Sequence, residues 1–203
     1  MYFAALTLLA LSSTIVSVAA KPTVYLIRHG EKPADDDETG LSAQGEQRAQ
    51  CLRQVFGASS GYDIGYIMAM TPKSSAFPPC LSSFLTHEPQ KYMNSALLTL
   101  VLDGKRIRPY QTVLPLATDL GLEVDTSCDR DDPECVKDVV DGYDGEGNIL
   151  ICWEHDALTD IIDELGDDNA PEYPSDRFDL IWTDPSPYSE ITAETSEQCP
   201  GLD

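Results

Sequence analysis

Two apolar runs constrain this chain most: "TVYLIR" at residues 23–28 and "NILICWE" at 148–154. Each reads as a buried strand, and each is followed at once by a histidine, His29 and His155. Helix-like stretches fall between such strands. "LSAQGEQRAQCLRQVFG" is expected to start a helix with Ser42 as N-cap and to stop it at Gly57. "IGYIMAM" at 64–70 reads as a strand, and "RPYQTVLPLATDLG" at 108–121 as a helix that carries Pro115 and closes at Gly121. "DALTDIIDELG" follows as an amphipathic helix ending at Gly166, and "RFDLIWTD" at 177–184 as a further strand. This alternation predicts a layered α/β domain with a largely parallel sheet.

The chain has 203 residues, 42% of them hydrophobic, enough for one domain with a sizeable core. Residues 1–20 read as a signal peptide: an apolar run from 4 to 17, too short to be a membrane span, then small residues at Val18 and Ala20. A buried N-terminal helix is the bland alternative. Secretion after cleavage near Ala20 would leave a single domain over 21–203 and would make disulfides permissible. Cys128 and Cys135 flank the acidic loop "DRDDPE", which a local disulfide could close. Cys51, Cys80, Cys152 and Cys199 give no deducible pairing, and Cys152, in an apolar strand, reads as a buried thiol. Residues 75–102 break the rhythm with their own apolar, Ser-rich character. Two readings stay open for them: a real insertion beside the site, or translated non-coding sequence from an unspliced intron.

The formal net charge is −22, from 35 acids against 13 bases. Such a field disfavours nucleic acid and anionic membrane surfaces as partners, so an anion can bind only in a local cationic pocket. The histidines supply the place for one. In open α/β sheets, ligands sit beyond the carboxyl ends of the strands. His29 and His155, at two strand ends, would share that crevice with Arg28 and with Arg108 at a helix start. Arginine gives planar, permanently charged donors to phosphate oxygens, and histidine is a competent nucleophile at phosphorus when one ring nitrogen is free. Preorganised donors of this kind are typically worth roughly 3 kcal/mol each in the transition state. The chemistry requires no metal, and no cysteine spacing here resembles a zinc site.

Jointly, "LIRHGEK", "LSAQGEQRA", "TP…RPYQT" and "WEHDAL" resemble the histidine phosphatase superfamily, also called phosphoglycerate mutase-like. The similarity spans most of residues 23–184. It implies a three-layer α/β/α sandwich with no metal and no organic cofactor. His29 would be the nucleophile that becomes phosphohistidine, and Arg28, Arg108 and His155 the phosphate pocket. The proton donor is open. The acid-phosphatase branch implies Asp156, which also reads as a helix N-cap. The mutase branch implies an acid between the second arginine and the second histidine, where Glu123, Asp131, Asp132 and Glu134 lie, and Glu154 is a further local candidate. Arg106 competes with Arg108, which fits the "RxxQT" pattern. Glu31 either touches substrate or is solvated, and Lys32 reads as a solvated loop residue. The chain lacks the large cap domain of the acid-phosphatase branch and the second arginine after the glycine.

These residues lead to a secreted phosphomonoesterase acting on a phosphorylated small molecule through a phosphohistidine. The alternative is a catalytically inactive phospho-ligand-binding or interaction protein on the same scaffold. An acidic calcium-binding protein is a distant third, because "ADDDE" and "DRDDPE" lack EF-hand spacing.

Overall fold

The computed structural model describes residues 21–35, 38–73 and 105–202. The expected signal peptide and the segment at 75–102, including Cys80, lie outside the described residues. Among these, six strands and four helices alternate: β1 (Thr23–Arg28), α1 (Ala43–Val55), β2 (Ile64–Ala69), α2 (Arg108–Leu120), β3 (Val124–Asp125), α3 (Pro133–Gly142), β4 (Asn148–Trp153), α4 (His155–Leu165), β5 (Leu180–Pro185) and β6 (Ala193–Ser196). They form one sheet in the order β3-β2-β4-β1-β5-β6. The pairs among β3, β2, β4 and β1 are parallel, and β5 and β6 complete the sheet antiparallel.

The strands are apolar on both faces because both faces are covered. Along β4, Ile149, Ile151 and Trp153 enter one core with Val136 and Val140 of α3 and Leu158, Ile161 and Ile162 of α4. Leu150 and Cys152 enter the other, with Leu52 of α1 and Val113 and Leu116 of α2. Helices therefore pack on each side of the sheet, and the three-layer expectation holds. Cys152 is buried as a free thiol, as the sequence indicates, and Trp153 and Trp182 are fully buried.

Local signals set the helix ends. The Ser42 side chain accepts from Gly45 N, and Gly121 closes α2 in the left-handed region at φ 69°. α1 also needs glycine for contact. A Cβ on Gly45 would lie 2.5 Å from Glu31 O, and one on Gly30 would lie 3.0 Å from Gly45 Cα. The "RHG" loop and the "QGE" turn thus touch backbone to backbone.

A buried ion-pair network locks that contact. Arg48 of α1 is 1% exposed and holds Glu31 at 2.7 Å and Glu197 at 2.6 Å, while its Nη2 also donates to Leu202 O. Glu31 is therefore a structural anchor beside the His29 loop. Cys51 of α1 bonds Cys199 in the same C-terminal segment, and Cys128–Cys135 closes the acidic loop as expected. The strand expected over 177–184 begins only at Leu180, because residues 175–177 turn to present carbonyls to Arg28.

Two predictions follow from burial. Arg48→Met strands Glu31 and Glu197 as buried carboxylates without their cation, and chemical denaturation is expected to show a loss of about 3–5 kcal/mol. Asp184 is fully buried, neither carboxylate oxygen has a hydrogen-bond partner among the described residues, and burial together with Asp167 raises its pKa from 3.8 to about 7. Below about pH 4 it is protonated whether folded or unfolded. As pH rises from about 4 to 7 only the unfolded chain ionises it, so stability falls across that window. Asp184→Asn should flatten this slope, and thermal melts at pH 5 and pH 8 should then differ less than in the wild type.

Candidate active site

Strand register builds the centre of the site. β1 and β4 run parallel with Arg28 opposite Trp153, so their next residues, His29 and Glu154, leave the sheet side by side. His29 N donates to Trp153 O at 3.0 Å, which carries the pairing one residue past the strands. The next amide is fixed from α2. Gly30 N donates to Thr112 Oγ1 at 2.9 Å, and that hydroxyl donates to Arg108 O at 2.8 Å. Gln111 Oε1 accepts from Leu41 N at 3.2 Å. The Gln and Thr of "RPYQT" thus hold the loops that flank the histidine.

His29 is 4% exposed, and its Nδ1 lies 2.7 Å from Gly30 O. Only a protonated Nδ1 satisfies that carbonyl, which leaves Nε2 with the ring's lone pair. Burial lowers the imidazole pKa from 6.5 to about 4, aided by the charges of Arg28 and Arg108 and opposed by the Gly30 hydrogen bond. At neutral pH the ring is uncharged.

His29 opens on a cavity of about 490 Å³. Arg108 and Glu154 line it with His29, as do Lys32, Lys73, Lys105, Arg106 and Arg130. Six of the chain's 13 Lys and Arg residues therefore meet in one cavity. Arg108 is oriented by Nε donating to Gly40 O and Nη2 to Glu38 O, both at 3.0 Å, and Nη1 has no protein acceptor among the described residues.

The other expected site residues sit just beside this cavity. Arg28 is 5% exposed, its Nη1 donates to Ser175 O and Arg177 O, and its guanidinium stacks 3.7 Å from the Phe178 ring centre. His155 and Asp156 line a second cavity, with His155 Nε2 2.7 Å from Asp156 Oδ1. Burial first and the Arg28 charge second lower the His155 pKa, so Arg28 acts electrostatically on both imidazoles. Asp156 stands in the first turn of α4; the N-cap is Glu154, which makes no side-chain cap bond.

Sequence reasoning missed Arg130. It sits inside the Cys128–Cys135 loop, where Trp153 Nε1 donates to Arg130 O at 3.1 Å and Thr71 N donates to Cys128 O at 2.8 Å. Its guanidinium bonds Glu154 and Asp131 and reaches Asp156 at 3.6 Å, linking the two cavities. The available signal was a lone base in an acidic, disulfide-closed loop. Burial pushes the Glu154 pKa up, but the hydrogen bond and charge of Arg130 outweigh it and hold Glu154 below the ordinary value.

The fold, a six-stranded sheet between two layers of helices, is one shared with solved histidine phosphatases. The similar solved structures include the protein histidine phosphatase SixA complexed with tungstate, at a TM-score of 0.51 and 13% identity over 86% of this chain and 97% of that one. A protein from Agrobacterium tumefaciens assigned as the phosphohistidine phosphatase SixA matches at a TM-score of 0.50 and 12% identity, over 87% of this chain and 98% of that one. At these identities the likeness establishes the fold. No protein-family model matches the chain, and no curated protein sequence does.

The His29 environment is open to direct test. Nitrogen NMR of the labelled protein should show His29 as the Nδ1–H tautomer with a titration midpoint near 4; a midpoint near 6.5 would remove the argument from burial.

Proposed function

We propose that this chain is a secreted phosphomonoesterase that acts on a phosphorylated small molecule through a phosphohistidine on His29. The observation that carries the reading is the neutral, buried His29, held at Nδ1 and opening on a cationic cavity in an otherwise acidic protein. The volume of about 490 Å³ suits a small molecule. Similarity in fold to a histidine phosphatase solved with tungstate supports an oxyanion as the ligand. Two disulfides suit an oxidising compartment outside the cytosol, and no helix among the described residues is long and apolar enough to cross a membrane.

In the first step His29 Nε2 forms a bond to phosphorus as the bond to the ester oxygen breaks. Arg108, with Arg28 and His155 close by, neutralises charge on the phosphoryl oxygens. The departing oxygen needs a proton, and Glu154 is the carboxyl that shares the cavity with His29. In the resting site Arg130 keeps Glu154 ionised. Phosphoryl oxygens entering the cavity compete for Arg130, and burial then raises the proton affinity of Glu154. Asp156, paired to His155 at 2.7 Å, orients that ring and stands as the second candidate donor. In the second step water attacks phosphorus, gives its proton to the carboxylate, and the nitrogen–phosphorus bond breaks.

Purified chain should hydrolyse an aryl phosphate, and His29→Ala should abolish turnover. His29 gains a proton only as pH falls through about 4, so kcat/KM should fall on the acid side near that value. Glu154→Gln should lower kcat by about 10²–10⁴ for alkyl phosphates, whose leaving oxygen needs the proton, and by less for aryl phosphates. Equal losses on both would exclude Glu154 as donor and pass the role to Asp156→Asn for the same comparison. Tungstate binding without turnover by the wild type would leave a phospho-ligand-binding protein.

A further inference from the structure

Arg28 is a buried cation with no carboxylate of its own. It is 5% exposed, and among the described residues no acid hydrogen-bonds to it. Neutral groups hold it instead. Arg177 N donates to Pro174 O at 3.2 Å and closes a turn, and the Ser175 and Arg177 carbonyls both accept from Arg28 Nη1, at 2.8 Å and 2.7 Å. The next side chain, Phe178, lays its half-buried ring 3.7 Å from the guanidinium carbon. The same ring meets the His29 imidazole edge-on, with 6.2 Å between ring centres.

The turn has its own anchor. Arg177 grips the buried Asp179 through Nε to Oδ1 at 2.6 Å and Nη2 to Oδ2 at 2.5 Å. Asp179 O in turn accepts from Glu197 N at 2.7 Å. Phe178 lies between these two residues, so its backbone is fixed on both sides.

This arrangement has an electrostatic consequence. A carboxylate partner would orient Arg28 and cancel its charge at once. Carbonyl dipoles and an aromatic face orient it and leave the charge uncancelled, where little water screens it. The clamp also occupies only one edge. Nη1 is used twice, whereas neither the buried Nε nor Nη2 has an acceptor among the described residues. Nε and Nη2 form an edge with which a guanidinium can meet two oxygens of one anion.

We propose that Phe178 is a positioning residue: its ring, with the turn before it, fixes the plane of Arg28 so that the Nε–Nη2 edge is presented to the phosphoryl group beside His29. The identity of that group rests on the phosphatase reading; the placement of Arg28 is open to test without turnover.

The wild type carries the first check. In nitrogen–proton NMR of the full chain, the Arg28 Nε–H resonance should be shifted upfield by the Phe178 ring and exchange slowly with water. An ordinary, fast-exchanging arginine resonance overturns the stack. Phe178→Leu removes the aromatic face and Phe178→Tyr keeps it; if Phe178→Leu does not fold, Phe178→Met makes the same comparison. Calorimetric titration with inorganic phosphate should show binding about tenfold weaker in Phe178→Leu and within about twofold of the wild type in Phe178→Tyr. The His155 titration midpoint, which the Arg28 charge lowers, should rise in Phe178→Leu alone. Weaker phosphate binding with an unmoved midpoint, or equal losses in both variants, means a merely structural ring and overturns the proposal. Turnover of an aryl phosphate by the wild type, with phosphate binding unchanged in Phe178→Leu, sinks the positioning role alone. The expected tenfold loss with no turnover by the wild type sinks the phosphatase reading alone.

Discussion

The guanidinium of Arg48 is the constraint on which the rest depends. It lies 1% exposed between Glu31, Glu197 and the carbonyl of Leu202, and so ties together the loop after β1, helix α1 and the C-terminal segment. Burying three charges is costly, and only close geometry with multiple hydrogen bonds offsets that cost. The Gly30–Gly45 contact allows the loop and helix to approach closely enough for this geometry. The Cys51–Cys199 bond, 148 residues apart in sequence, adds a covalent tie to the same junction. In a chain-entropy account a loop of that size is worth about 4–5 kcal/mol against the unfolded state.

That junction matters because His29 has little of its own to hold it. One ring nitrogen is fixed by Gly30 O, and Gly30 in turn by Thr112. The histidine is therefore aimed by three elements: β1 through strand register, α1 through Arg48, and α2 through Thr112. A neutral imidazole in a rigid setting is what the proposed attack on phosphorus requires. The electrostatics follow a similar division. The surface carries a large negative charge, while six of the 13 cations line one cavity at the strand ends, three as exposed lysines and three as half-buried arginines.

Much of this was legible along the chain. β1 and β4 are continuous apolar runs, and α1 announces itself by Ser42 and its glycine. α2 ends at a glycine in the left-handed region. Three elements escaped. β3 has two residues and β6 is the polar "AETS", so neither carries a hydrophobic period. α3 was read as part of an acidic loop, although Asp132 caps it and Pro133 opens it; the disulfide across the same residues masked the helix start. The Cys128–Cys135 pairing itself was readable because only six residues lie between the two cysteines.

By itself the sequence determined the local facts: which runs are strands, where helices begin and stop, and that two strands end in histidines. These depend on neighbours a few residues away. Only the tertiary structure decided that β1 lies between β4 and β5, that Arg130 reaches Glu154, that Glu31 serves Arg48, and that Cys51 meets Cys199. Each of these joins residues well separated along the chain, and no local propensity encodes such a pairing; it arises when burying both faces of the sheet brings the partners together.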